Sequence, residues 1–142
     1  MNSSENEESP STPLLTDTDF RRRILQLLGF ASERSLSVLL IDGDGIQLPI
    51  IVTLDELPAS PDSETLKLLV GDLGERLALC GADGSLAFVL ERPGQSQPHA
   101  FDELWAGAVF AAGEAAGVRI IGVYLLHSKG VRMLRARVLP SF

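Results

Sequence analysis

Two histidines and a few acidic residues are the side chains in this sequence that could hold a metal ion. His99 and Asp102 lie three residues apart at the start of a predicted helix, and Glu91 or Glu64 could complete a ligand set. A catalytic zinc site takes three protein ligands, so a metal-dependent hydrolase with an atypical site is one hypothesis. A His and an Asp in this position more often form a solvated first turn that caps the helix. We therefore predict no metal and no cofactor, and we expect His127, at the end of a strand, to be structural or superficial.

No other catalytic set is visible in the sequence. The two histidines do not fit a Ser-His-Asp arrangement, and no glycine-rich phosphate loop follows a predicted strand. Cys80 is the single cysteine, and we place it on the core face of a helix as inert packing. The sequence thus predicts no catalytic residues, and the interpretation leans towards a protein that is not an enzyme.

Residues 38–45 (Val-Leu-Leu-Ile-Asp-Gly-Asp-Gly) could carry phosphoryl-transfer chemistry. They resemble the start of a haloacid-dehalogenase-type phosphotransferase, whose first aspartate attacks phosphorus. The sequence departs from that pattern, since Ile46 stands where a threonine is expected and no later lysine and paired-acid motif follows. Asp-Gly pairs are also typical of tight turns. We predict a β-hairpin here, joining strands over 34–41 and 46–53, with Pro49 at a sheet edge or a bulge.

The elements that must position these residues form one α/β domain. A helix begins at Thr16 or Thr18 and ends at Gly29, with the run 21–23 (Arg-Arg-Arg) on its polar side. After the hairpin the sequence predicts a helix from Ser60-Pro61 to Gly81, a central strand over 85–90, a helix over 100–116, and strands over 118–127 and 131–138. The order αββαβαββ predicts a mixed five-stranded sheet flanked by three helices, with helices on both faces.

Charge and hydropathy limit the functional classes. The net charge is −7, and residues 1–19 hold five acids without a Lys or Arg. We interpret residues 1–15 as a disordered acidic tail and residues 16–142 as a single α/β domain. The acidic balance argues against nucleic acid as a partner, because such binding depends on neutralising phosphates. We also expect no membrane association, since no apolar run reaches about 18 residues. The single cysteine and the absence of a signal peptide predict a cytoplasmic location.

Two regions are candidate binding sites. The first is a loop after the central strand, where open α/β sheets bind ligands, so a small-ligand sensor is a further alternative. Its candidate residues are Glu91, Arg92, Pro93, Gly94, His99 and Asp102. The second is the basic final strand with Lys129, Arg132, Arg135 and Arg137. Such charges protect an edge strand from pairing with other chains, or they dock an acidic partner, including the chain's own tail.

The C-terminal half resembles a group of small uncharacterised actinobacterial proteins. The shared features are Arg92-Pro93-Gly94, then Asp102 with Trp105-Ala106, then 116–118 (Ala-Gly-Val), and a valine-containing strand that ends at His127. The resemblance covers about 50 residues and implies no activity, because none is assigned to that group.

The same stretch is similar in layout to the RadC-like branch of the JAB/MPN metalloprotease fold. In that family a strand ends in His-x-His-Pro-Ser-Gly, and a metal-binding Asp and a helix follow. Here Leu90 and Arg92 replace both ligand histidines, Asp102 matches the metal-binding Asp, and Glu64 lies loosely where the catalytic Glu would be. The resemblance implies a JAB-like scaffold without its metal, and inactive members of that fold serve as partner-binding platforms.

These observations together favour a non-catalytic protein-interaction module. We expect it to associate with itself, as a homodimer, or to dock a protein partner. The metal-dependent hydrolase and the small-ligand sensor are the alternatives.

Overall fold

A computed structural model describes residues 12–29 and 33–136. Its helices are α1 (Asp17–Leu28), α2 (Ser63–Ala78) and α3 (Ala100–Ala116), and its strands are β1 (Ser35–Ile41), β2 (Gln47–Asp55), β3 (Ser85–Glu91), β4 (Ile120–His127) and β5 (Gly130–Ala136). The strands lie in the order β2-β1-β3-β4-β5. The β3–β4 pair is parallel and the other pairs are antiparallel. The predicted α/β class, element order and mixed five-stranded sheet are confirmed.

Helices cover both faces of the sheet, as the sequence predicts. Helices α2 and α3 pack on the first face, against residues such as Leu36 and Phe88. Helix α1 packs on the second face, where Phe20 and Ile24 meet Leu39 and its neighbours. Every residue of β1 and β3 is buried, because alternate side chains of these central strands point into two covered layers.

The Asp-Gly-Asp-Gly segment forms the turn of the predicted hairpin. The carboxylate of Asp42 accepts the backbone N–H groups of Asp44 and Ile46, both at 2.9 Å. Pro49 lies in β2, which is an edge strand, and the β1–β2 register shifts between Leu39 and Ile41. The edge position suits a residue that cannot donate a ladder hydrogen bond.

Helix α1 has the predicted cap. Thr16 Oγ1 accepts the N–H of Asp19 at 3.1 Å, and the Asp19 carboxylate accepts the N–H groups of Leu15 and Thr16 at 2.9 and 3.0 Å. These backbone hydrogen bonds lower the pKa of Asp19. Leu14 is buried, and its N–H donates to Gly45 O at 2.7 Å, so packed structure reaches into the range 1–15 that the sequence assigns to the tail.

Two side-chain predictions are wrong. Arg23 lies in the interior, 2% exposed, because its guanidinium donates to Gln47 Oε1 at 2.7 Å and to Thr12 O at 3.1 Å. Cys80 is exposed, because α2 ends at Ala78, before the chain reaches that position.

Other predictions differ at segment ends or lie outside the described residues. Helix α2 begins at Ser63, with Asp62 as its N-cap, instead of at Ser60-Pro61. The tail residues 1–11, Arg137 and the predicted end of the last strand are not among the described residues. Within the described ranges, no helix has the length and apolar character needed to cross a membrane.

Candidate functional site

The candidate loop follows β3 and leads to α3, and a buried ion pair connects its two ends. Arg92 is 3% exposed and Asp102, in the first turn of α3, is fully buried. Arg92 Nε lies 2.9 Å from Asp102 Oδ1, and Arg92 Nη2 lies 2.7 Å from Asp102 Oδ2. This is the two-point contact between guanidinium and carboxylate that only arginine can make.

The remaining donors of Arg92 hold the loop backbone. Its Nη1 donates to Gln95 O at 2.7 Å, and its Nη2 donates to Gln97 O at 2.9 Å. One buried side chain therefore binds the loop from inside, while residues 93–97 stay exposed to solvent.

A second set of contacts joins this loop to the turn between β4 and β5. Gly94 N–H donates to Ser128 Oγ at 2.7 Å, and Ser128 N–H donates back to Gly94 O at 3.1 Å. Arg132 Nη1 donates to Ser96 O at 3.1 Å. We call the combined area the loop–hairpin surface, formed by Pro93, Gly94, Gln95, Ser96, Gln97, Ser128, Lys129 and Arg132. It includes Pro93 and Gly94 from the first candidate region and Lys129 and Arg132 from the second.

His127 lies beneath this surface at the end of β4. It is 7% exposed, and its Nδ1 accepts the N–H of Lys129 at 3.1 Å. Burial, followed by the charges of Arg92 and Arg132, lowers the pKa of His127. A neutral imidazole that is buried and accepts a turn hydrogen bond agrees with the first of the two roles that the sequence leaves open, structural or superficial.

Two of the candidate metal ligands, Asp102 and Glu91, are bound within the fold, whereas His99 and Glu64 are exposed. Asp102 Oδ2 also accepts His99 N–H at 2.8 Å, so both carboxylate oxygens are bound within the protein. Glu91 is buried and accepts the Ser35 hydroxyl at 3.3 Å. In the described part of the chain, no group of three or more His, Cys, Asp or Glu residues is arranged to hold a metal. Asp42, the aspartate of the phosphotransferase-like segment, binds its own turn.

The basic residues of the last strand are divided between two places. Lys129 and Arg132 belong to the loop–hairpin surface, whereas the guanidinium of Arg135 stacks over the Phe110 ring of α3, 5.1 Å from its centre. Among the described strands β5 lies at the edge of the sheet, where the sequence expects protective charges.

Sequence reasoning missed Ser128 and the glutamines of the loop as parts of this surface. Ser128 is hydrogen bonded to Gly94, 34 positions away in the sequence, and no local sequence pattern predicts such a contact. No family model matches the chain, and no curated protein matches it significantly.

Proposed function

We propose that this chain is a non-catalytic protein-binding module whose loop–hairpin surface docks an acidic segment of a partner protein. The proposal rests on an exposed loop that two sets of contacts hold in place. The buried Arg92–Asp102 pair anchors its ends, and hydrogen bonds between Gly94 and Ser128 join it to the β4–β5 turn. A surface ordered before binding loses little conformational entropy on association, which favours a docking role.

The charges of the surface favour an acidic partner. Its members carry two cationic side chains, Lys129 and Arg132, and none is acidic. Of the acids at the loop ends, Glu91 and Asp102 are buried and hydrogen bonded, and Glu103 in the first turn of α3 is exposed. A locally positive surface on a chain of net charge −7 favours an acidic partner through electrostatic complementarity.

The resemblance to a JAB/MPN domain without its metal agrees with this role. In that correspondence Arg92 replaces a ligand histidine and Asp102 is the metal-binding acid, and here the guanidinium neutralises that carboxylate. Inactive members of that fold serve as partner-binding platforms. The single cysteine supports a cytoplasmic location as part of the same proposal.

A charge-reversal experiment tests the proposal. Full-length protein, a Lys129→Glu variant and a Lys67→Glu variant are used as baits in lysate of the native host, and the captured partner is then titrated in purified form. Lys129 is exposed, and its backbone N–H, not its side chain, is hydrogen bonded to His127. Lys67 is an exposed lysine of α2, outside the loop–hairpin surface. We expect Lys129→Glu to weaken binding on the order of tenfold and Lys67→Glu to leave it unchanged.

Salt and mass measurements complete the test. Raising sodium chloride from about 50 to about 300 mM should weaken the complex, since exposed charges are screened. Equal binding by the two variants would contradict the docking site. A mass that rises with protein concentration, with no second protein captured, would instead show self-association as a homodimer.

A further inference from the structure

A cavity of about 460 Å³ lies on the second face of the sheet, between the start of α1 and the β1–β2 turn. Its apolar lining comprises the partly exposed Ile121 and Met133 and the buried rings of Phe20 and Tyr124. The rings of Phe20 and Tyr124 stack with their centres 5.7 Å apart. Leu15, 74% exposed, stands at the rim. The volume falls within the range of roughly 300–1,000 Å³ that small-molecule sites occupy.

The rim of this cavity is negatively charged. Asp17, Asp42, Asp44 and Asp83 line it, together with one cation, Arg119. Asp44 and Asp83 line the cavity and are exposed to solvent.

The two other rim acids also have roles in the fold. Asp42 accepts two amides of its turn, and Asp17 pairs with Arg21 at 2.7 Å. Burial, and then the nearby carboxylate of Asp17, raise the pKa of Tyr124 well above its ordinary value, so the phenol stays neutral. The uncharged surface that a ligand can reach is therefore mainly aliphatic, from Ile121 and Met133, and the charge lies at the rim.

We propose that this cavity binds a small organic cation, namely a primary ammonium group on a short apolar chain or ring. The apolar part would cover the apolar lining and Leu15, and the ammonium group would lie among the rim carboxylates. The cavity lies at the end of β3 opposite to the loop–hairpin surface, so this inference is independent of the proposed partner.

Calorimetric titration of full-length protein tests the inference with three probes of similar size and different charge: phenylpropylamine, phenylpropanol and phenylpropanoate. At neutral pH the amine is a cation. We expect it to bind on the order of tenfold more tightly than the alcohol, and we expect the carboxylate to bind least, because the rim carboxylates attract only the first.

Two variants test whether the amine binds at the acidic rim of this cavity. The double variant Asp44→Asn/Asp83→Asn removes two rim charges, and asparagine tolerates the positive φ of 66° at position 83. We expect the amine to bind about four to nine times more weakly, since each of the two carboxylates removed contributes a factor of about two to three across water. The control Asp72→Asn removes one exposed carboxylate from α2 and should leave affinity unchanged.

Three results would overturn the inference. They are equal affinity for amine and alcohol, a loss in Asp72→Asn as large as in the double variant, and no detectable binding of any probe at millimolar concentration. A fourth such result can come from nuclear Overhauser measurements on the Met133 methyl group in ligand-free protein. Contacts to residues 137–142, or to a second copy of the chain, would show that protein already fills the cavity.

Discussion

Arg92 directs almost its whole guanidinium inward, although the sequence places it in a loop where a ligand or partner would bind. Burying two opposite charges costs solvation free energy, and the cost is offset only when both groups are fully hydrogen bonded. Here the carboxylate of Asp102 and the carbonyls of Gln95 and Gln97 meet the donors at 2.7–2.9 Å. A lysine in the same place could not reach all these acceptors at once.

Removing the carboxylate should therefore destabilise the protein strongly. Asp102→Ala leaves a buried guanidinium without its counter-charge, and we expect the free energy of unfolding to fall by about 3–5 kcal/mol. Urea unfolding monitored by circular dichroism measures the change.

The matching control is the double variant Arg92→Met/Asp102→Ala. It removes both charges, so its loss of free energy of unfolding should be smaller than the summed losses of the single variants Asp102→Ala and Arg92→Met by at least about 1 kcal/mol. Additive losses would show that the ion pair is not the coupled unit described above.

His127 gives the fold a dependence on pH. Its pKa is lowered in the folded state, while the unfolded chain keeps the ordinary value of about 6.5. Between these two values the unfolded state binds more protons, so stability should fall as the pH drops below about 6.5. In His127→Asn, whose side-chain oxygen can still accept the N–H of Lys129, that part of the loss should disappear. Urea unfolding midpoints at several pH values measure the pH dependence of stability. The same dependence in the wild type and in His127→Asn would refute its assignment to His127.

At the scale of elements, local patterns predict helix α3 and the hairpin well. The apolar face of α3 and Gly117, with φ of 71°, fix both of its ends, which agree with the predicted range 100–116. The start of α2 is less predictable. Ser60-Pro61 has the composition of a helix start, but Leu57 is buried and Pro58 O accepts the indole N–H of Trp105 at 3.2 Å. Those tertiary contacts hold the preceding segment outside the helix, and sequence spacing does not show them.

The site was predictable only in its parts. The loop after β3 and the basic residues of β5 carry recognisable composition, which is why the sequence singles them out. That they form one surface depends on the parallel pairing of β3 with β4, which brings Gly94 beside Ser128. The inward direction of Arg92 depends on Asp102, ten positions later in the chain, and on no local periodicity.

Two helical glycines should respond in opposite ways to the same substitution. A Cβ at Gly113 of α3 would overlap Ile120 Cγ1 and lie 3.0 Å from Val118 O, so Gly113→Ala should cost about 1–3 kcal/mol through strained packing. A Cβ at Gly71 of α2 meets only Ala116 Cβ, at 3.9 Å. Gly71→Ala should stabilise the protein by about 0.5–1 kcal/mol through helix propensity. Melting temperatures check both, and equal signs would show that α3 does not approach β4 so closely.

At the scale of the whole molecule, the charges fall into separate regions of the sheet. The acidic rim lies where β1 ends and β3 begins, and the cationic loop–hairpin surface lies where β3 and β4 end. In the two proposals, the acidic end attracts a cation and the cationic end attracts an acidic segment, in spite of the net charge of −7.

The edge strands of the sheet are where two molecules could pair through their backbones. Among the described strands, β2 and β5 are the edges; β2 carries Pro49, and β5 carries the exposed Arg135. An unprotected edge pairs readily with another strand, and a charged side chain opposes that pairing.

Arg135→Val removes the charge and raises β-propensity, so we expect its average mass in light scattering to rise with concentration more steeply than that of the wild type. Arg76→Val removes an equal charge from the exposed face of α2 and serves as the control. The same mass in all three proteins would mean that Arg135 contributes to packing on Phe110 and not to protection of the edge.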